Sequence, residues 1–104
     1  MTDVPVVHFA PRYGWTPRLV QVPRGRVMQD GEELIALPVP GREREGEALL
    51  LARDSLMVAE LFDGSRDLRD IQRTLHAQTG QHVQIEHIHA LAMALFKAGL
   101  LTSD

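Results

Sequence analysis

The segment spanning residues 49–64 most constrains the fold, because its hydrophobic periodicity changes halfway. Its first half belongs to a short apolar run, residues 47–52, which is too short for a helix and predicts a strand. In its second half the apolar residues recur at helical spacing. The segment therefore predicts a strand that leads directly into a helix.

The ends of this first helix carry their own signals. Asp54 or Ser55 is expected to cap its start, because a short side-chain oxygen can accept a hydrogen bond from a free amide of the first turn. Asp63 and Gly64 are expected to end it, since glycine adopts the left-handed conformation without steric penalty.

The residues before this segment predict β structure. Asp30 and Gly31 tolerate positive φ and predict a tight hairpin between strands at 26–29 and 33–37. Residues 18–22 predict an earlier strand, and the charged loop 41–46 is expected to be solvated. Together with residues 47–52, these segments predict a small antiparallel sheet of three or four strands. The three leucines at 49–51 imply that both faces of the last strand meet apolar groups, or that one is open to a partner.

Two further helices are predicted after the first. The second opens at residues 65–67 and ends at Thr79-Gly80, and the third runs from about Gln84 through Ala98. Strands followed by three helices predict an α+β, winged-helix-like domain over residues 18–104. Residues 1–17 predict an N-terminal arm that contains the chain's one tyrosine and one tryptophan, Tyr13 and Trp15.

Composition narrows the classes of function. The chain has 104 residues, which predicts one domain, and it has no cysteine. Its net charge is −3 and it has no basic run, which argues against nucleic acid as a partner. No signal peptide or membrane-length apolar stretch is evident, so we expect a cytoplasmic protein that does not enter a membrane.

The candidate chemical groups predict binding rather than catalysis. His82, His87 and His89 are the only metal-like cluster, but His87 and His89 are two residues apart and point in different directions on a helix. The nearby aspartates show no catalytic spacing, and no phosphate-binding loop is present. We therefore expect no enzymatic activity, no metal and no cofactor.

Three segments carry a resemblance to a known family. They are Glu60-Leu61-Phe62-Asp63-Gly64-Ser65-Arg66, Leu68-Arg69-Asp70-Ile71, and Ala98-Gly99-Leu100-Leu101. In this order, after an apolar strand, they resemble the PqqD-like family of RiPP recognition elements, which bind leader peptides of ribosomally made, modified peptides. A close variant of this domain occurs at the N-terminus of bacterial Memo-like proteins, and Arg18-Leu19 with the Asp30-Gly31 hairpin is similar to that variant.

The resemblance implies a peptide-binding site. In the family, a peptide adds as an extra strand to the third strand of the sheet and lies beside the third helix. By position, the strand edge would be Ala48, Leu49, Leu50, Leu51 and Ala52, and the groove wall would be His87, Leu91, Ala94 and Ala98. The resemblance further implies a chaperone-like module that presents a precursor peptide to a maturation enzyme, plausibly a radical SAM enzyme.

Three alternatives stay open. One is an accessory domain of a Memo-like system that binds a partner protein instead of a leader peptide. Another is a winged-helix DNA binder, although its second helix offers Arg66, Arg69 and Arg73 against two aspartates. The third is a homodimer, in which the exposed strand edge is covered by a second copy of the chain.

Overall fold

The computed structural model of the chain describes residues 15–103, and the side chain of Ser103 is outside that description. Tyr13 and most of the predicted arm lie outside the described residues. The elements in chain order are β1 (Pro17–Leu19), β2 (Gly25–Gln29), β3 (Glu32–Pro38), a 3₁₀ turn (Glu43–Glu45), β4 (Ala48–Leu51), α1 (Arg53–Ala59), α2 (Leu68–Thr79), α3 (Ile85–Lys97) and β5 (Leu101–Ser103).

The architecture is α+β, as the sequence predicts. Strands β2, β3 and β4 form an antiparallel sheet in that order, and β1 pairs with β5 in a separate two-stranded sheet. The β2–β3 hairpin is confirmed, since Asp30 (φ 53°) and Gly31 (φ 81°) form its turn and Gln29 pairs with Glu32. The loop at 41–46 is exposed, also as predicted.

The strand predicted at residues 18–22 is shorter in the structure, and it does not join the three-stranded sheet. It comprises Pro17–Leu19 and pairs with β5 at the other end of the described chain. The Leu19 amide donates to the Phe62 carbonyl at 2.7 Å, and the Val20 amide donates to the Leu100 carbonyl at 2.8 Å. Here β1 is held between the turn after α1 and the C-terminal segment.

The predicted ends of α1 are wrong at both termini. The N-cap is Ala52, which has no side-chain oxygen, and neither Asp54 nor Ser55 caps the helix. The helix ends at Ala59, four residues before Asp63. The chain leaves the helix early because Phe62 is buried in the core and the Gly64 amide donates to the Pro17 carbonyl at 2.9 Å.

The predicted bounds of α2 and α3 are confirmed. Asp67 caps α2, accepting from the Asp70 amide at 2.8 Å while the Asp70 side chain accepts from the Asp67 amide. Gly80 ends α2 in the left-handed conformation, with φ of 74°. Helix α3 runs from Ile85 to Lys97 and buries Ile88, Ala92 and Leu95.

Helix α1 packs against β3 and β4 of the three-stranded sheet, and α3 packs against α1, α2 and β5. The core lies between these elements. Its buried residues come from β1, β3, β4, the three helices, the turn after α1 and the C-terminal segment. They are Leu19, Ile35, Leu37, Leu51, Ala59, Phe62, Leu68, Ile71, Leu75, Ile88, Ala92, Leu95, Leu100 and Leu101. Trp15, from the predicted arm, packs edge-on against Phe96 with 5.8 Å between ring centroids.

Candidate functional site

Strand β4 lies at an edge of the three-stranded sheet. Within residues 15–103 it pairs only with β3, in the register Leu37↔Leu49. The Val39 amide donates to the Glu47 carbonyl at 3.0 Å, which makes 39↔47 a hydrogen-bonded pair. Because such pairs alternate along an antiparallel ladder, Leu49 and Leu51 direct their backbone polar groups towards β3.

The same alternation directs the other backbone groups of β4 away from the sheet. Ala48 and Leu50 point their N–H and C=O groups to the open edge. The N–H of Ala52 follows in the same direction, because Ala52 is extended with φ −65° and ψ 158°. The edge thus presents five backbone hydrogen-bonding groups in the geometry that an added strand requires.

The side chains of β4 separate into two faces. Leu51 is buried in the core and Leu49 packs against it, whereas Leu50 is 40% exposed on the outer face of the sheet and Ala48 is exposed beside it. Of the two sequence interpretations of the leucine run, the structure favours the one in which one face is open.

A groove between α1 and α3 begins close to the end of β4. Its volume is about 200 Å³, and it is lined by Asp54, Ser55, Val58, Val83, His87, Ile88 and Leu91. A second depression of about 260 Å³ continues from it towards the C-terminal end of α2 and shares Asp54, Val58 and Val83 with it. We call the two together the helical groove.

The connection between the strand edge and the helical groove is short. Only Ala52 separates β4 from α1, and its carbonyl accepts from the Leu56 amide at 3.0 Å. Asp54 and Ser55, in the first turn of α1, then line the groove. The first residues that line the groove thus follow the end of β4 by three and four positions.

The structure places the predicted groove residues in two different settings. His87 and Leu91 line the helical groove together with residues of α1. Ala94 is exposed and lines none of the described depressions, and Ala98 packs against the core at the end of α3. The four residues therefore do not form one continuous wall.

Sequence reasoning missed the contribution of α1 and of the connector before α3. Val58 of α1 is half-buried and lines the groove. Val83 lies in the connector between α2 and α3. Its carbonyl accepts from the Gln72 side chain at 2.8 Å, and the residue lines both parts of the groove. The sequence offered one indication of this role, because Val83 is an apolar residue within an otherwise polar connector.

A separate depression of about 510 Å³ lies beside β1 and is more polar. It is lined by Arg18, Leu19, Gln21, Arg24, Glu60, Phe62 and Asp63. Arg24 forms an ion pair with Glu60, and Asp63 accepts from the Ser65 hydroxyl at 2.6 Å and the Ser65 amide at 2.9 Å. These bonds, the Ser65 hydroxyl first, hold the pKa of Asp63 below its ordinary value.

Among residues 15–103, no group of three or more histidine, cysteine or acidic side chains is arranged to hold a metal ion. His82 instead meets His76 edge-on, with ring centroids 6.4 Å apart, and His87 lines the helical groove.

Comparison with protein-family models, curated proteins and solved structures finds no significant match to this chain. The helices between residues 15 and 103 include none with the length and apolar character needed to cross a membrane.

Proposed function

We propose that this chain is a non-catalytic peptide-binding module of the PqqD type. It binds the leader segment of a ribosomally made precursor peptide as an added strand on β4, and it presents that peptide to a maturation enzyme such as a radical SAM enzyme. The observation that carries the proposal is the open edge of β4, together with the helical groove that includes the first turn of α1.

The strand edge and the groove supply different parts of the binding free energy. Five backbone hydrogen bonds at ~0.5–1.5 kcal/mol net each would be largely offset by the loss of conformational freedom in the peptide. Burying one or two aliphatic side chains in the groove adds roughly 1.5–3 kcal/mol for each. We therefore expect the groove to select the peptide and the edge to align it.

The lining of the groove indicates the peptide's chemistry. Val58, Val83 and Leu91 provide apolar contact area, which suits a leucine, isoleucine or valine of the peptide. Asp54 is exposed at the rim and favours a basic residue next to that anchor.

The proposal is tested by amide NMR on the labelled full chain. The probes are overlapping peptides from the short open reading frames that flank its gene. We expect one peptide to shift the amides of Ala48, Leu50 and Ala52 together with those of His87 and Leu91. Binding with shifts confined to other surfaces would contradict the proposal. So would the absence of binding when the Ala48 and Leu50 amides are already protected from exchange in the free chain.

A matched pair of proline variants isolates the strand edge. Leu50→Pro removes an outward-pointing N–H without removing a bond to β3, and we expect it to weaken peptide binding at least tenfold, by about 1.4 kcal/mol. Met28→Pro removes the equivalent outward N–H from β2, at the opposite edge of the same sheet, and should leave binding unchanged. Equal losses in both variants would indicate a general effect on the sheet.

The ion pairs of α2 and the turn before it weigh against a DNA-binding role. Arg73 binds Asp70 at 2.8 Å, and Arg66 binds Asp63 at 3.1 Å. The charges of Arg66 and Arg73, which a DNA-binding role would direct at phosphate, are therefore paired with neighbouring carboxylates. Peptide binding accounts better for the open edge.

A further inference from the structure

The polar depression beside β1 has a volume of about 510 Å³, larger than either part of the helical groove, and it shares no residue with that groove. Two of its lining residues, Leu19 and Phe62, are buried in the core, so its base is apolar. The other lining side chains are polar and exposed: Arg18, Gln21, Arg24, Glu60 and Asp63. The depression therefore combines an apolar base with a charged rim.

The charges at this rim are paired, with one exception. Arg24 forms an ion pair with Glu60, and Asp63 forms one with Arg66 at 3.1 Å. Arg18 lines the same depression but forms no ion pair within residues 15–103. Its charge is the one at the rim that no described carboxylate balances.

The guanidinium of Arg18 has a defined position. The Arg18 backbone pairs with Thr102 of β5 and forms a bridge with Asp63. A β-carbon on Gly64 would lie 2.9 Å from Nε, 3.1 Å from Nη2 and 3.4 Å from Cζ of Arg18. Because Cζ is the farthest of the three atoms, the Nε–Nη2 edge of the planar group faces this glycine. The Nη1–Nη2 edge is therefore turned away from Gly64.

The Nη1–Nη2 edge suits a carboxylate. Its two parallel N–H donors match the two oxygens of that planar group. With Arg66 included, three arginines stand against Glu60 and Asp63, so one carboxylate balances the remaining charge and a doubly charged phosphate exceeds it. Asp63 itself does not bind Arg18, since its oxygens accept from Ser65 and Arg66.

We infer that this depression is a binding site for a carboxylate on a short aliphatic chain, held by the Nη1–Nη2 edge of Arg18. The group comes from a free carboxylic acid or from an acidic side chain of a polypeptide, which share this chemistry. Its aliphatic carbons contact Leu19 and Phe62, and the Gln21 amide donates a further hydrogen bond. The inference goes beyond the proposed peptide binding at β4 and does not depend on it.

The inference is tested by NMR on the labelled full chain with three probes. Butyrate carries a free carboxylate, acetyl-Ala-Glu-Ala-amide carries it on a peptide, and acetyl-Ala-Gln-Ala-amide is the uncharged control. We expect butyrate, the glutamate peptide or both to shift the Arg18 Nε–H and the Gln21 side-chain amide, with saturation at roughly 1–50 mM. The glutamine peptide should shift neither. Saturation by the glutamate peptide alone would identify polypeptides as the source, and saturation by butyrate alone would identify free acids.

Two substitutions of Arg18 separate its charge from its geometry. Arg18→Gln removes the charge and should weaken binding roughly tenfold or more. Arg18→Lys keeps the charge without the planar fork and should weaken binding roughly threefold. Arg44→Gln is the matched control, because Arg44 is exposed in the 3₁₀ turn and lines none of the described depressions. It should bind within about twofold of the original chain. The amide spectrum of each variant reports whether it is folded.

The absence of saturable shifts with both butyrate and the glutamate peptide up to about 100 mM would overturn the inference. Equal losses in Arg18→Gln and Arg44→Gln would overturn it as well, since binding would then reflect surface charge in general. Its failure is distinguishable from failure of the proposed function, because the leader-peptide experiment follows amides of β4, Ala52 and α3, and none of these residues lines this depression.

Discussion

At the scale of single residues, Asp63 organises the turn between α1 and α2. One of its carboxylate oxygens accepts both the hydroxyl and the amide of Ser65, and the other accepts from Arg66 at 3.1 Å. Its backbone forms an isolated bridge with Arg18 of β1. Gly64 follows with φ of 88°, and a β-carbon at that position would lie 2.9 Å from the Arg18 guanidinium. Asp63 and Gly64 were predicted to end α1, but in the structure they join the turn between α1 and α2 to β1.

The lowered pKa of Asp63 predicts a pH dependence of stability. The ionised carboxylate stabilises the folded chain above the ordinary pKa, and this contribution is lost as pH falls through the lower pKa of the folded state. We expect Ser65→Ala to raise the Asp63 pKa towards its ordinary value, because the variant removes the hydroxyl donor. Carboxyl-carbon NMR titration of Asp63 measures this change.

Ser55→Ala is the matched control for that titration. Ser55 lies in the first turn of α1 and lines the helical groove, and it does not bond to Asp63. Its replacement should leave the Asp63 midpoint where it is. An Asp63 midpoint at the ordinary value in the original chain would contradict the role assigned to Ser65.

At the scale of elements, α3 contributes two different surfaces. Ile88, Ala92 and Leu95 are buried in the core, while His87 and Leu91 line the helical groove. Ala94, although it belongs to the same predicted wall, is exposed outside the groove. The helix thus anchors the fold with one face and supplies the candidate site with the next.

This division predicts unequal effects of substitutions on α3. For a peptide that binds as proposed, Leu91→Ala removes apolar contact area from the groove and should weaken binding roughly tenfold, or about 1.4 kcal/mol. Calorimetric titration of the peptide identified by NMR provides the measurement.

Ala94→Ser is the control on the same helix, since Ala94 is exposed and lines no described depression. It should bind the peptide as tightly as the original chain. If Ala94→Ser weakened binding as much as Leu91→Ala, the peptide would lie along the wall predicted from the family resemblance, and not in the helical groove.

At the scale of the whole molecule, the C-terminal segment closes the fold. Leu100 and Leu101 are buried, and β5 pairs with β1 beside the turn that Asp63 organises. The amide of Leu100 donates to the Leu95 carbonyl at 2.8 Å, which turns the chain back after α3. The two ends of the described chain are in this way joined to one core.

The closure predicts a large loss of stability when Leu100 is truncated. Leu100 is fully buried, so Leu100→Ala leaves a cavity and should lower the free energy of unfolding by about 2–5 kcal/mol. Met28→Ala, at a side chain that is 68% exposed, should change it by about 0.5 kcal/mol or less. Urea denaturation of both variants makes the comparison, and a small loss for Leu100→Ala would contradict the closure.

Short-range features were predictable from the sequence alone. The Asp30-Gly31 hairpin, the start of α2 at Asp67 and its end at Gly80, and the bounds of α3 all follow from the residues at those positions. The physical reason is that a turn or a cap depends on the backbone preferences and hydrogen bonds of residues a few positions apart. The same local reasoning predicted a strand at residues 47–52, where β4 spans Ala48–Leu51.

Tertiary structure decided the features that join distant segments. The pairing of β1 with β5, the early end of α1, and the separation of Ala94 from the helical groove depend on which apolar surfaces are buried together. Local periodicity does not specify these contacts, because a helix or strand can satisfy its own pattern against several partners. The sequence by itself thus determined most of the elements, whereas packing placed β4 at a sheet edge and determined which side chains line the helical groove.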